Sequence, residues 1–295
     1  VEEPDLVIVQ GDTTSAFAAA LAAFYLKIPV GHVEAGLRSY DRFQPYPEEA
    51  NRTFISRISD LHFCPTQRAA ENLRAEKIPA SAIFVTGNTV IDALLHTARR
   101  LDTGAEADCR LSEIDLHQRR MILVTAHRRE SFGEGLRNLS HALLRIADTF
   151  PDVTIVYSVH PNPNVRGAIV SLLGTHERIQ VIQPPDYLTF VWLMKRAFFI
   201  ITDSGGIQEE APSLNKPVLV ARNVTERPEA VECGAAKIVG TDEATIVLEA
   251  SRLLEDMEHY QSMIVARNPF GDGQASQRIA DVIESFVSSR TALGR

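Results

Sequence analysis

The sequence predicts an α/β protein built from two doubly wound parallel sheets, and three observations predict it. Short apolar runs alternate with segments of helical period along almost the whole chain. That alternation lapses once, across the polar stretch 101–120, and then restarts. Residues able to do chemistry fall just after the apolar runs, where ligands gather in open α/β sheets. Strands covered by helices on both faces read as continuous apolar runs rather than as a two-residue alternation.

The first half reads strand by strand as Leu6–Gln10, Pro29–Val33, Leu61–Cys64 and Ile83–Thr86, with helices over Thr14–Leu26, Pro47–Ser59, Gln67–Glu76 and Val90–Arg100. The stretch 101–120 lacks a clear period and reads as a linker. The second half gives strands at Met121–Ala126, Thr154–Val159, Ile179–Ile182, Phe198–Asp203, Pro217–Ala221 and Ala236–Val239. Helices fall between them, and two more close the chain at Asp242–Asp256 and Gln274–Ser289.

At 295 residues the chain is long enough for two such domains, each with its own core. A net charge of −8 argues against nucleic acid or an anionic membrane as main partner. An anionic substrate would need a local basic patch. Cys64, Cys109 and Cys233 lie far apart and in no Cys-x-x-Cys spacing, which points to reduced thiols in a cytoplasm and to no zinc site. No apolar run reaches the length of a membrane span and no signal peptide is recognisable. The chain opens at Val1 and enters a core strand almost at once, so it reads as a piece of a longer protein.

The most informative stretch is Asp203-Ser204-Gly205-Gly206-Ile207-Gln208-Glu209-Glu210. Ser204 and the two glycines fall where a strand turns into a helix that reads as starting near Ile207, leaving backbone N–H groups open to an anion such as a diphosphate. Glu210, a helical turn later, could accept hydrogen bonds from ribose hydroxyls. The alternative is an ordinary glycine turn capped by Ser204. Asp12, in Gly11-Asp12-Thr13-Thr14, reads either as a helix N-cap or as an acid/base group at a strand's carboxyl end. Glu34 ends the second strand in Gly31–Arg38; a carboxylate there is costly to bury unaided, so it is either paired, with Arg38 a candidate, or tuned for proton transfer. Glu48 and Glu49 open a helix after Pro47, where acids also favour the helix dipole. His127 beside Arg128 and Arg129 suits a phosphorylated ligand, and Arg227 is a plausible second clamp. His160-Pro161-Asn162-Pro163 follows another strand and is at least a rigid turn. No Gly-x-Gly-x-x-Gly fingerprint, Walker loop or Gly-x-Ser-x-Gly elbow is present, so redox, ATP and acyl-transfer chemistry start weak.

Taken together these stretches resemble the non-hydrolysing UDP-N-acetylglucosamine 2-epimerases of bacteria. The resemblance runs through GDTT, HVEAGLR, PEEANR, GNTVIDAL, HRRESFG, HPNPNVR, DSGGIQEEAP, TERPEAV and NPFGDGQAS, in that order from end to end. It implies two Rossmann-like domains facing a cleft, the GT-B arrangement, with the last helix returning to the first domain. Residues 1–86 with about 276–295 would then form the first domain, and 87–275 the second. It implies interconversion of UDP-GlcNAc and UDP-ManNAc, with no nicotinamide or other cofactor and no obligatory metal, by a homodimer supplying surface polysaccharide. It makes Asp12, Glu34 and Glu48 catalytic carboxylates, with His127 beside the leaving diphosphate. It assigns Ser204, Gly205 and Gly206 to the phosphates, Glu210 to ribose, Phe190 to the uracil region and Arg227 to the diphosphate. Arg128 and His160 become contacts of a second, activating UDP-GlcNAc. The family's first domain begins with further β/α units and a Gly-Thr-Arg-Pro-Glu loop, absent here, so an incomplete first domain of poor solubility or low activity is expected. The rival readings are a glycosyltransferase of the same fold, a hydrolysing epimerase, and a catalytically inert UDP-sugar-binding fragment.

Overall fold

The structure is a computed structural model and describes residues 4–104, 119–126, 133–159 and 163–292. The chain divides into two compact units, Val1–Ala93 with Pro269–Arg295, and Leu94–Asn268. Each carries one parallel sheet, as the sequence predicts.

The first unit holds β1 (Val7–Gln10), α1 (Thr14–Tyr25), β2 (Val30–Val33), α2 (Glu48–Ile58), β3 (Leu61–Cys64), α3 (Gln67–Ala75) and β4 (Ile83–Val85). Its strands lie in the order β1-β2-β3-β4, all parallel. Every residue of β2 and β3 is buried, the mark of strands covered on both faces. On one face Val9, Ala16, Ala20, Ala23, Val30 and Ile55 pack β1 and β2 against α1 and α2. The other face is closed from far along the chain: Ile279 of α12 (Ala275–Ala292) joins Val33, Leu61 and Phe63. Asp92, on α4 (Thr89–Asp102), caps that returning helix by accepting from the N–H groups of Ala275 and Ser276 at 3.1 and 2.7 Å.

The second unit runs β5 (Arg120–Thr125), α5 (Glu134–Thr149), β6 (Val153–Ser158), α6 (Pro163–Leu173), β7 (Ile179–Ile182), α7 (Tyr187–Arg196), β8 (Ala197–Thr202), α8 (Gly205–Glu210), β9 (Val218–Val220), α9 (Pro228–Glu232), β10 (Ala236–Ile238), α10 (Glu243–Glu255) and α11 (Met257–Ser262). The order across its sheet is β10-β9-β8-β5-β6-β7. From β5 the chain winds outward through β6 and β7, returns to β8 on the other flank of β5, and continues outward to β10. The direction of winding therefore reverses between β5 and β8. Helices leave these two neighbouring strands on opposite sides, which opens a crevice at their carboxyl ends. Tyr157, Phe199, Ile122 and Leu143 are fully buried in this sheet's core. Among the described residues no helix is long and apolar enough to cross a membrane.

Candidate functional site

The polar groups of the first unit gather at the carboxyl ends of β1 and β2. Gly11 turns the chain out of β1 with φ of +70°, a conformation natural to glycine. The cap of α1 is Thr13, whose hydroxyl accepts from Ala16 N–H at 3.2 Å. Asp12 is thereby left for other work. Glu34, one residue past β2, takes φ of 67°, an uncommon backbone for a side chain with a Cβ and one that collects at functional sites. An added Cβ on Gly11 would lie 3.5 Å from Glu34 Oε2, so the Glu34 carboxylate rests against the residue preceding Asp12. The two predicted acids thus follow the ends of neighbouring strands.

The first turns of α2 complete this cluster. Asn51 Nδ2 donates to the Asp12 carbonyl at 2.9 Å. Arg52 donates to Asp12 Oδ2 through Nε at 3.1 Å and also through Nη2. Arg52 Nη1 donates to Glu49 Oε2 at 3.1 Å, and Glu49 further accepts from the backbone N–H groups of Ser39 and Tyr40, each at 3.1 Å. Glu48 is half-buried on the same turn, and its side chain makes no hydrogen bond or ion pair among the described residues. Below the cluster, His32 Nε2 donates to the Gly11 carbonyl at 2.8 Å. Burial pushes the His32 imidazole down to about 4, and burial with the nearby Arg38 charge does the same to His62 across the strand pair. Arg38, the candidate partner for Glu34, forks onto Glu76 at 2.6 and 3.0 Å and donates to Ser56 at 2.9 Å.

In the second unit the turn after β8 lies at the reversal of winding. The Thr125 and Thr202 hydroxyls, at the ends of β5 and β8, share a 2.7 Å hydrogen bond. Ser204 N–H donates to Thr202 Oγ1 at 3.0 Å. Ser204 stands at the N-cap of α8, yet its side chain makes no capping hydrogen bond. A Cβ on Gly205 would meet Glu226 Oε1 at 3.3 Å and the Arg227 guanidinium carbon at 3.6 Å. Glycine there lets the Arg227 head lie against the turn. Arg227 is buried and pairs through Nε with Glu209, while Glu226 pairs with Arg222 at 2.8 Å. Glu210 is buried at the end of α8 and accepts from the Tyr187 hydroxyl at 2.7 Å. Burial first, and the Glu209 charge after it, push the Glu210 carboxyl up to about 7. Burial and the charge of Glu210 push the Tyr187 phenol upward as well. Phe190 is half-buried one turn along α7 from Tyr187. His127, Arg128 and His160 lie outside the described residues. Among the described residues no group of three or more His, Cys, Asp or Glu side chains could hold a metal ion.

Sequence reading named Asp12, Glu34, Ser204 and Glu210 but assigned no role to Arg52, Asn51, His32 or Tyr187. Glu49 and Arg52 carried a signal that could have been used: an acid and an arginine three residues apart share a helix face. Tyr187 carried none, since its partner stands on another helix.

A doubly wound sheet with a polar glycine turn at its switch point is the build of a nucleotide-handling α/β protein. The family model described as UDP-N-acetylglucosamine 2-epimerase matches residues 1–284, and this chain belongs to that family. The UDP-N-acetylglucosamine 2-epimerase of Escherichia coli K12 is 53% identical over 289 residues, which are 96% of this chain and 76% of that protein. The Neisseria meningitidis UDP-GlcNAc 2-epimerase, whose crystal structure holds UDP-GlcNAc, superposes with a TM-score of 0.90 at 46% identity, over 96% of this chain and 76% of that one. The Staphylococcus aureus MnaA structure with UDP gives 0.91 at 47% identity, over 97% and 76%.

Proposed function

We propose that this chain interconverts UDP-GlcNAc and UDP-ManNAc by elimination and re-addition of UDP. C2 of the sugar bears a hydrogen and an acetamido nitrogen and adjoins no carbonyl, so its proton is too weakly acidic for simple removal and return. Loss of that proton together with cleavage of the C1–O bond solves the problem. The C2–H electrons form the C1=C2 bond of a 2-acetamidoglucal, and UDP departs with the C1–O pair. UDP then adds back to C1 while a proton reaches the opposite face of C2. Such a cycle needs acid/base groups for both faces and stabilisation of the departing diphosphate.

The observation that carries this reading is the placement of Asp12 and Glu34 just past the carboxyl ends of two adjacent parallel strands, with Glu34 against Gly11, in a chain of this family. In this reading residues 1–86 with about 276–295 supply the carboxylates Asp12, Glu34 and Glu48, and 87–275 supply the nucleotide site. There Ser204, Gly205 and Gly206 meet the phosphates, His127 and Arg227 the diphosphate, Glu210 the ribose and Phe190 the uracil. Burial of Glu210 supports its part: a desolvated carboxylate gains more from hydroxyl donors than an exposed one. The reading extends to a homodimeric cytoplasmic enzyme that feeds surface polysaccharide and is activated by a second UDP-GlcNAc on Arg128 and His160. Conversion in deuterium oxide tests it. UDP-ManNAc should carry solvent deuterium at C2, and label in the bridging oxygen should scramble. Product without deuterium would sink the elimination route, and free sugar with UDP as the only products would make the chain a hydrolase.

A further inference from the structure

Arg52 and Asp12 differ sharply in exposure. The Arg52 side chain is 5% exposed and Asp12 24%. The guanidinium does not need Asp12 for compensation, because Glu49, also 5% exposed, already pairs with it from three residues back on the same helix. Glu49 is in turn fixed by the Ser39 and Tyr40 N–H groups. The Arg52 carbonyl accepts from Ser56 Oγ at 2.8 Å, which receives Arg38 Nη2. A rigid, already compensated fork thus reaches outward to a carboxylate that water could have served. Both of its donors end on Oδ2, and Oδ1 of Asp12 makes no hydrogen bond among the described residues. The backbone around this carboxylate is held as well, at Gly11 by His32 and at Asp12 by Asn51.

We propose that Arg52 is a positioning residue for the reaction: its fork locks one oxygen of Asp12 so that the other is presented to substrate in a single orientation. This rests on the assignment of proton transfer to Asp12. The gain is geometric, since an acid/base group held in reactive alignment avoids the entropy of finding it.

The test compares Arg52→Met, Asp12→Asn and the double variant in the full chain, with UDP-GlcNAc as substrate. Arg52→Met should lower kcat about 100-fold, the scale of a small misplacement, and leave KM within about threefold. Residues acting as one unit are not additive, so adding Arg52→Met to Asp12→Asn should cost less than about threefold more. Guanidinium chloride should restore part of the turnover of Arg52→Ala, and matched sodium chloride should not. If Arg52→Met fails to fold by circular dichroism, Arg52→Lys replaces it; keeping the charge without the fork, it should still lose about tenfold in kcat. Near-normal turnover in a folded Arg52 variant beside a slow Asp12→Asn overturns the proposal alone, as do losses that multiply in the double variant. Normal turnover in Asp12→Asn removes the role of Asp12 and that of Arg52 with it.

Discussion

The two polar regions handle charge in opposite ways. In the first unit a buried arginine directs its fork to a partly exposed acid, and Glu34 stands on a left-handed backbone one residue past the neighbouring strand. Asp12 and Glu34 stay partly exposed, and the Arg52–Glu49 pair that serves Asp12 is buried. In the second unit the charges themselves are withdrawn: Arg227 pairs with Glu209 and Arg222 with Glu226 below the surface, and Glu210 is buried against a tyrosine. At the turn itself Ser204 and Gly206 are partly exposed. Mobile protons need side chains that can reach and be reached, whereas a bound anion is well served by fixed N–H dipoles on a charge-balanced base.

Replacing Asp12, Glu34 or Glu48 by its amide should slow turnover about 10²–10⁴-fold, roughly 3–5 kcal/mol of barrier, with UDP affinity little changed. Steady-state rates beside calorimetric UDP binding would break the contrast if affinity fell as far as rate. Arg227→Ala should act on both stability and binding. Breaking a buried pair costs about 3–5 kcal/mol in urea unfolding, and UDP should suffer more than uridine. Equal losses for the two ligands would reduce Arg227 to a structural part.

Acid should separate the units by sign. His32 and His62 are held down to about 4, so the unfolded chain takes up their protons first. Their contribution to stability is whole above about pH 6.5 and is lost as pH falls toward 4, about 2 kcal/mol for each at pH 5. Glu210 runs the other way: raised to about 7, it favours the folded state below about pH 4.5, and that advantage is lost as pH rises through 7. Hydrogen exchange at pH 7 and 5, corrected for intrinsic rates, should show β1–β3 opening more in acid and the segment around Glu210 not following. Matching losses in both would contradict these environments. The smallest effect concerns the ribose. Glu210→Gln should weaken uridine binding by about 1.5–3 kcal/mol, the worth of a hydrogen bond to a charged group. Wild-type affinity should rise by no more than about tenfold from pH 6 to 8 as the carboxyl ionises, and be flat in the variant.

Leu61–Cys64 was legible because burial on both faces writes a strand as an apolar run, and the edge strand Ile179–Ile182, buried only at Ile179, still falls where its apolar residues put it. Helix α8 begins at Gly205, before the expected Ile207, because the tertiary context overrides the low helix propensity of the two glycines. The position of Asp12 could be read from the end of β1, but its partner could not. Arg52 lies 40 residues away, and only the parallel pairing of β1 with β2, which sets α2 beside both, brings the two together. Register between distant strands is a tertiary fact, so the acids appear in the sequence as isolated loop residues and the clamp does not appear at all.

The return of α12 to the first sheet has a consequence for how the chain is made. The second unit is one contiguous segment, complete once Asn268 has been synthesised. The first draws on segments to either side of the second: Val33, Leu61 and Phe63 have no Ile279 to pack against until all of the second unit has been synthesised. At about 5–20 residues per second, that interval lasts roughly 10–40 s. During it an apolar sheet face stays open on the ribosome while a later-made neighbour folds first. The sheet made before the second unit is thus closed after it.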